Sequence, residues 1–359
     1  MKKNLVLLVM LFLVLNLAAA WSCTNLIVQA ADGTVIRARS MEMVAGVSKM
    51  LAVPQGYQYA CSLPDGQPGM KWAGKYGYVG IGSADINIVS DGMNEKGLTF
   101  GMLEFPNFVG YSSFDSSGQG KSVAPWEFGS WMLANFATVD EVVKNINGVR
   151  IVGSVKSPDA MLPLHYMVTD PSGRSVVIEP VNGTLKVHEN PVGAMTNAPD
   201  FDWQLVNLKN YIELHPEDCA PKTLKGGLEL KQTGTGSGML GLPGDQTPAS
   251  RFVRAVYYTQ NLTAPKDAEE CLQDAIGILN TFFRVEGSNY QMQNGKQVSD
   301  ITDWETFSDL TNLRYYYRTY RDSDIRLLDL KKLDFKTGAV KNYPLAEKPA
   351  YRDYTDRLK

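Results

Sequence analysis

The chain has 359 residues, a formal net charge of −3 and 20% charged residues. It contains no long basic run, so the composition argues against a nucleic-acid-binding protein. A hydrophobic content of 44% is ordinary for a globular protein with a real core, and the length fits one large α/β or α+β unit.

The first segment of the chain has the features of a secretory signal peptide. A basic start, Met1-Lys2-Lys3, precedes an apolar run from Leu5 to Leu17. That run is too short to span a membrane comfortably. Ala20 and Ser22 are small and occupy the −3 and −1 positions of a cut before Cys23. We therefore predict a signal peptide over residues 1–22 and a mature protein that is periplasmic or secreted.

A cut before Cys23 would place a free α-amine and a thiol on one residue. The amine has an ordinary pKa of about 7.7–8.0, so it can act as a base near neutral pH. A nucleophile with an N-terminal amine as its base makes an amidase without histidine. Two other interpretations stay open from this stretch alone. A cut after Ala20 would leave Cys23 third, with a disulfide or packing role, and a lipoprotein signal would block the amine, although Trp21 disfavours it.

The next elements are predicted to be strands. A hairpin of residues 24–29 and 34–40 turns at Ala31-Asp32-Gly33 and brings Arg39 and Glu42 back towards Cys23. Residues 45–75, rich in proline and glycine, are interpreted as loop. Further strands are predicted over 76–81, 86–90, 98–103, 164–169, 175–179, 184–187 and 193–196, and between 304 and 334.

Helices are predicted between and after these strands, over residues 124–137, 138–146, 201–214, 250–261 and 267–282. Residues 91–97 are interpreted as a turn, and the chain beyond residue 341 as a loosely held tail. Strands in two batches with helices between and after them favour two sheets packed between helix layers.

Cysteine and histidine offer little support for other chemistries. The four cysteines, Cys23, Cys61, Cys219 and Cys271, form no CxxC pair, so a zinc site has no support, and at most one disulfide is expected beside a Cys23 nucleophile. His165, His188 and His215 are far apart in the sequence and match no papain-like motif. The glycine-rich residues 233–250 lack the Gly-Lys-Ser/Thr ending of a phosphate loop. We expect no metal and no cofactor.

Five short motifs occur in an order that one family shares: Cys23-Thr24-Asn25, Ala38-Arg39-Ser40-Met41-Glu42, Asn94-Glu95-Lys96-Gly97-Leu98, Met195-Thr196-Asn197-Ala198-Pro199 and Pro248-Ala249-Ser250-Arg251-Phe252-Val253-Arg254. The chain resembles the choloylglycine hydrolases, which include bile salt hydrolases and penicillin V acylases of the N-terminal-nucleophile superfamily. Residues 238–244, Trp203-Gln204 and Asn210-Tyr211 look most like the Gram-negative branch. The resemblance covers nearly all of the mature chain.

The resemblance implies one catalytic domain over residues 23–359 with an α+β fold, a four-layer αββα sandwich. It implies that Cys23 is the nucleophile, that Arg39 favours the thiolate, and that Asn197 donates to the oxyanion of the tetrahedral intermediate. Arg251 would stabilise the site electrostatically; otherwise it would be a helix N-terminal charge that pairs with Asp245.

Two positions depart from the family pattern. Glu42 stands where the family has aspartate to orient the α-amine. Glu104 stands where the family places a second oxyanion donor, on asparagine or tyrosine. A backbone N–H at residue 104 would survive this change, whereas a side-chain donor would not.

The resemblance leaves the substrate open among linear amides with an apolar acyl group. Conjugated bile salts are the first expectation; penicillin V and N-acyl homoserine lactones are the alternatives within the family. A non-catalytic lipoprotein on the same fold is the alternative from a different class. The expected partners are a small-molecule amide and further copies of the chain, as a tetramer by resemblance, without nucleic acid and without stable membrane insertion after cleavage.

Overall fold

The computed structural model describes residues 22–43, 48–82, 88–158, 161–293, 295–336, 338–345, 349 and 351–359. The predicted signal peptide therefore lies outside the described residues, except for Ser22. Strands are numbered β1 to β22 and α-helices α1 to α5 in chain order.

Two antiparallel sheets dominate the described part of the chain. In spatial order, the first has six strands: β14 (Ala194–Met195), β1 (Ser22–Gln29), β2 (Val35–Met43), β19 (Ile301–Asp309), β20 (Arg314–Thr319) and β21 (Asp322–Asp329). The second has eight: β13 (Thr184–Glu189), β12 (Ser175–Val181), β11 (Leu164–Thr169), β8 (Thr99–Glu104), β7 (Val89–Asn94), β6 (Tyr78–Gly82), β3 (Lys49–Val53) and β22 (Lys341–Pro344).

Four further pairs of strands form short two-stranded sheets in the described residues: β4 (Gln58–Ser62) with β5 (Pro68–Ala73), β9 (Ser122–Val123) with β10 (Arg150–Ile151), β15 (Lys222–Thr223) with β16 (Glu229–Leu230), and β17 (Tyr290–Gln293) with β18 (Lys296–Ser299). The α-helices are α1 (Phe128–Asn135), α2 (Val139–Asn145), α3 (Phe201–Asn207), α4 (Pro248–Asn261) and α5 (Ala268–Asn280).

The layers follow from which faces are apolar. Helix α1, buried over most of its length, packs on β7 and β8, whereas α4 and α5 pack on β1 and β2. The two sheets face each other, and β1 contacts β8. The order is therefore helix, sheet, sheet, helix, which confirms the predicted αββα sandwich of the α+β class. All nine residues of β2 except Met43 are buried, because helices cover one face and the second sheet covers the other.

The first hairpin confirms its prediction and positions Cys23. β1 pairs with β2 over its full length, and Gly33 at the turn has φ +89°, a conformation that glycine adopts without steric cost. The predicted strands between residues 164 and 196, and those between 304 and 329, are confirmed. The helices predicted to start near residues 250 and 267 are confirmed as α4 and α5.

Other predictions of local structure were wrong. Residues 45–75 are not only loop, since β3, β4 and β5 lie there between the proline and glycine turns. The tail beyond residue 341 is not loose at its start, because β22 adds to the edge of β3 and buries Leu345. Helix α1 begins only at Phe128, after a 3₁₀ turn, and α3 ends at Asn207. Strand β7 continues through residues 91–94, which were predicted as turn.

Two findings concern the environment of the chain. No helix within the described residues is long and apolar enough to cross a membrane. All four cysteines fall within the described residues and all are unpaired; Cys219 is exposed and the other three are buried.

Candidate active site

The pairing of β1 with β2 sorts the candidate residues onto two faces of one sheet. Cys23 lies opposite Met41, and Asn25 lies opposite Arg39, so these side chains point towards the second sheet. Ser22 lies opposite Glu42, on the alternate face, which the helices cover. The cysteine is fully buried, so its sulfur and its backbone nitrogen are both held by protein groups.

Arg39 lies beside the sulfur of Cys23. Its Nη2 is 3.6 Å from Cys23 Sγ, and the same nitrogen donates to the backbone oxygen of Met102. Its Nη1 donates to the backbone oxygen of Ser90. Two carbonyls of the second sheet therefore hold the guanidinium against the thiol.

Burial decides the ionisation of this thiol in the full-length chain. It raises the pKa of Cys23 above its usual value, while Arg39 opposes this and Glu42 adds to it. Arg39 therefore acts in the expected direction, but burial outweighs it.

Asp91 is a component of the site that the sequence analysis missed. Its carboxylate pairs with Arg37 and lies 3.5 Å from Arg39, with all three side chains fully buried between the sheets. Tyr315 donates to it at 2.7 Å and Thr306 at 3.0 Å. One carboxylate thus faces two guanidinium groups, and the excess positive charge lies next to the sulfur of Cys23.

We expect Asp91→Asn to destabilise the fold, because it leaves two buried arginines without their counter-charge. Breaking a buried pair in this way typically costs about 3–5 kcal/mol. Denaturant unfolding measures the change, with Asp140→Asn at the exposed pair with Arg174 as a control that should stay close to wild type. An Asp91→Asn protein as stable as the wild type would show that the charge is compensated elsewhere.

Asn197 links Cys23 to the second sheet. Its Oδ1 accepts from the backbone nitrogen of Cys23 at 2.9 Å, and its Nδ2 donates to the backbone oxygen of Glu104 at 2.9 Å. Asn197 therefore contacts Cys23 on one side and Glu104 on the other, while the oxyanion roles implied for both by the resemblance stay predictions. An amide nitrogen carries two hydrogens, so Nδ2 keeps a second donor for another acceptor.

Glu104 enters the site through its backbone. The N–H of Phe105 bonds to the oxygen of Pro163, across the pair of β8 and β11. Because hydrogen bonds alternate along an antiparallel pair, the backbone groups of Glu104 face the other edge of β8. That edge is the side from which Asn197 approaches.

Arg251 does not pair with Asp245. Its Nη1 donates to the backbone oxygen of Cys23 and, at 2.8 Å, to Thr24 Oγ1, and its Nη2 lies 2.7 Å from Asn197 Oδ1. Burial lowers the pKa of Arg251 to about 10, which still leaves it charged at neutral pH. The guanidinium therefore ties the start of β1 to the segment that carries Asn197.

Glu42 and Arg284 complete the helix-covered face, and Arg284 was not predicted from the sequence. Burial raises the pKa of Glu42 to about 7, against the opposing charges of Arg251 and Arg284. Among the described residues, Glu42 Oε2 has no hydrogen-bond partner. Arg284 Nη2 lies 2.8 Å from Ser22 Oγ, and Arg251 Nη2 lies 3.3 Å from it. The residue before Cys23 is thus held by two cations beside one carboxyl group.

The described residues contain no cluster of three or more histidine, cysteine or acidic side chains arranged to hold a metal ion. The arrangement at Cys23 instead offers a thiol, amide and guanidinium donors, and a buried carboxyl group. These groups are suited to acyl transfer through a sulfur nucleophile.

Comparison with known proteins agrees with this chemistry. The profile of the linear amide C–N hydrolases, choloylglycine hydrolase family, matches residues 23–343. A bile salt hydrolase/transferase of Clostridium perfringens is 33% identical over 327 residues, 89% of this chain and 96% of that protein. A penicillin V acylase of Pectobacterium atrosepticum is 29% identical, over 75% of this chain and 70% of its own length.

Solved structures show the same relationship. The crystal structure of a mutant conjugated bile acid hydrolase from Clostridium perfringens aligns with a TM-score of 0.80 at 29% identity, covering 92% of this chain and 99% of that one. The penicillin V acylase of Agrobacterium tumefaciens aligns with a TM-score of 0.70 at 26% identity, covering 89% and 90%. The chain therefore belongs to the choloylglycine hydrolase family of linear amide C–N hydrolases.

Proposed function

We propose that the mature protein begins at Cys23 and hydrolyses a linear amide through a thioester on that residue. The observation that carries the proposal is the placement of both functional atoms of Cys23. Its backbone nitrogen lies 2.9 Å from Asn197 Oδ1, and its sulfur lies 3.6 Å from Arg39 Nη2. The family match also starts at Cys23.

Removal of the leader makes the base. In the full-length chain the nitrogen of Cys23 is a peptide N–H, which cannot take up a proton. After a cut before Cys23 it becomes an amine with a lone pair. Glu42, which pairs with Ser22 across the hairpin, keeps a buried Oε2 without a hydrogen-bond partner among the described residues, and it is the acceptor we propose for this amine. The side chain of Ser22 leaves with the leader, so the Nη2 groups of Arg251 and Arg284 each lose one partner and keep their bonds to Asn197 Oδ1 and the backbone oxygen of Gln246.

The reaction then proceeds in two acyl transfers. The amine takes the thiol proton, sulfur attacks the amide carbonyl carbon, and the second N–H of Asn197 with the backbone N–H of residue 104 stabilises the oxyanion. Collapse of the tetrahedral intermediate breaks the C–N bond, and the protonated amine of Cys23 donates its proton to the leaving nitrogen. Water, deprotonated by the amine, then cleaves the thioester and releases the carboxylic acid and the thiol.

Conjugated bile salts are the substrates we propose first. Bile salt hydrolase is the name of relatives that share 33% and 35% identity with this chain, over 89% and 77% of its length. The likeness to penicillin V acylases makes penicillin V the second candidate, and N-acyl homoserine lactones complete the set to assay. Release of glycine or taurine by the purified exported protein tests the first candidate. If the protein hydrolyses penicillin V and no bile salt, penicillin V replaces conjugated bile salts as the proposed substrate.

The oxyanion assignment predicts unequal effects at its two positions. Asn197→Ala removes a side-chain donor, and one such donor typically contributes about 10²–10³-fold in kcat. Glu104→Ala keeps the backbone and should cost little. Steady-state kinetics on both variants measures the difference. Equal and large losses would mean that the Glu104 side chain has a catalytic role.

The charges around the α-amine predict opposite shifts in the pH profile. Glu42→Gln removes the negative charge that Glu42 carries above its pKa of about 7 and that favours the protonated amine, so the amine pKa should fall and the acidic limb of kcat/KM should move to lower pH. Arg284→Gln removes a positive charge, so the limb should move to higher pH. Arg284→Lys keeps the charge and serves as the control. Shifts of the same sign in both glutamine variants would exclude the α-amine as the titrating base.

Export and assembly complete the proposal. The basic and apolar leader supports a periplasmic or secreted enzyme. The proposed mechanism needs both the amine and the sulfur of Cys23 without a lipid. Intact mass of the exported protein distinguishes this from the lipoprotein alternative, which predicts a diacylglyceryl adduct. Tetramer formation and the Gram-negative branch stay predictions from the resemblance; sedimentation tests the former.

A further inference from the structure

Two of the three histidines, distant in sequence, meet at one buried carboxylate behind the site. Glu179 Oε1 lies 3.6 Å from His165 Nδ1, and Glu179 Oε2 lies 3.1 Å from His188 Nε2. Their strands β11, β12 and β13 are neighbours in the eight-stranded sheet, and the three side chains are buried on the face that meets the first sheet. The mechanism above uses none of these residues.

The cluster contacts both ends of the segment that carries Asn197. At the start, His165 Nε2 lies 2.9 Å from the backbone oxygen of Thr196. At the end, the N–H of Phe201 donates to Glu179 Oε1 at 2.9 Å, and His188 Nδ1 lies 3.1 Å from Asp202 Oδ1. The six residues from Thr196 to Phe201 are therefore tied to the second sheet on either side of Asn197.

His165 also supports the other oxyanion position. Its ring stacks on Phe105 with centroids 4.4 Å apart and planes 7° apart, and Phe105 directly follows Glu104. One imidazole thus touches the residues adjacent to both Asn197 and Glu104, whose mutual hydrogen bond spans 2.9 Å.

The chemistry of the contacts assigns the hydrogens. A backbone carbonyl oxygen only accepts, so His165 Nε2 must carry the hydrogen that bonds to Thr196. Burial lowers the pKa of His165, so the ring is neutral and its Nδ1 carries no hydrogen to donate to Glu179. Glu179 instead fixes the end of the segment by accepting from the N–H of Phe201.

We propose that His165, Glu179 and His188 form a clamp that positions Asn197, with His165 as the positioning residue closest to the reaction. The inference rests on the proposed function of Asn197, since the clamp acts on turnover only through that amide. His165 itself touches neither substrate nor the reacting atoms.

The test compares two substitutions at His165. His165→Gln places an N–H donor near the position of Nε2, so kcat should stay within a few-fold of wild type. His165→Leu fills the site without a donor, and displacement of Asn197 should lower kcat by about 10²-fold with KM little changed. His215→Leu, at the exposed third histidine, is the control and should leave kcat unchanged. Wild-type kcat in folded His165→Leu would overturn the catalytic role of the clamp.

A double-mutant cycle separates positioning from general damage. If His165 acts through Asn197, then His165→Leu should have little further effect on kcat in an Asn197→Ala background. Losses that multiply would contradict the clamp. Should His165→Leu fail to fold, His165→Asn replaces it, since its shorter side chain cannot reach the oxygen of Thr196.

Amide hydrogen exchange measures the effect of the clamp on the backbone without turnover, so it remains informative if the protein hydrolyses none of the candidate substrates. In His165→Leu, exchange over residues 196–201 should be faster than in the wild type, while β1 and β2 stay protected. Unchanged exchange in that segment would overturn the clamp itself, whereas faster exchange without a change in kcat would overturn only its catalytic role.

Discussion

Cys23→Ser should abolish turnover while leaving the fold intact. The hydroxyl of serine is far less acidic than a thiol, so neither the amine nor Arg39 can make it an effective nucleophile at neutral pH. Loss of the nucleophile from a hydrolase typically costs on the order of 10⁶-fold in kcat. Serine is close to cysteine in size, and the sulfur lies near Arg39 Nη2 and Met41 Sδ, contacts that a hydroxyl can also accommodate, so thermal unfolding should change little.

Kinetics of Cys23→Ser with an unfolding curve on the same sample measures this result. Cys271→Ser, at a second buried and unpaired cysteine on α5, is the matched control and should keep wild-type kcat. Near-wild-type turnover in Cys23→Ser would rule out the nucleophile assignment.

Displacing the α-amine should be almost as damaging as removing the sulfur. If the leader is replaced by a single methionine before Cys23, that methionine should be removed, because cysteine is small, and activity should return. If an alanine persists before Cys23, the amine moves one residue away from the sulfur and the base is lost. The pocket, Arg39 and Asn197 remain, so the extended protein should fold and turn over very slowly.

The measurement is kcat for both proteins, with Edman or mass confirmation of each N-terminus. The single-methionine protein is the control for expression without the leader. Comparable kcat with the extra alanine confirmed in place would exclude the α-amine as the base, and a side chain would have to take that role.

The sequence predicted the part of the site that lies on one hairpin and in short motifs. The alternation of β1 and β2, with glycine at the turn, is enough to bring Arg39 and Glu42 next to Cys23. Asn197, Glu104 and Arg251 were found through the family resemblance, because their proximity depends on how separate strands and a helix pack. The structure places Asn197 and Arg251 at Cys23, and Glu104 next to Asn197.

Asp91, Arg284 and Glu179 could not be found in the same way. Asp91 was assigned to a turn, since Asp-Gly favours turns, whereas pairing of β7 with β8 extends the strand through it. Arg284 follows α5 in sequence and reaches Ser22 only in the folded chain. Each is a buried charged side chain in the folded chain, and residue type alone did not distinguish it from the exposed charges around it.

The histidines show the limit of reasoning from sequence spacing. His165 and His188 are 23 residues apart, a spacing without a ligand motif. Consecutive antiparallel strands place them on one face, where Glu179 lies between them. The facing direction of each side chain depends on the alternation along β11, β12 and β13, and only the register of the paired strands shows that the three residues meet.

The intact mass of the exported protein, before and after brief mixing with an amide substrate and quenching in acid, tests the central claim most directly. The account predicts a chain that starts at Cys23 without lipid, and an acyl group attached to the Cys23 peptide as a hydroxylamine-sensitive thioester. A fully active chain that still carries Ser22, or an acyl group on another residue, would contradict it.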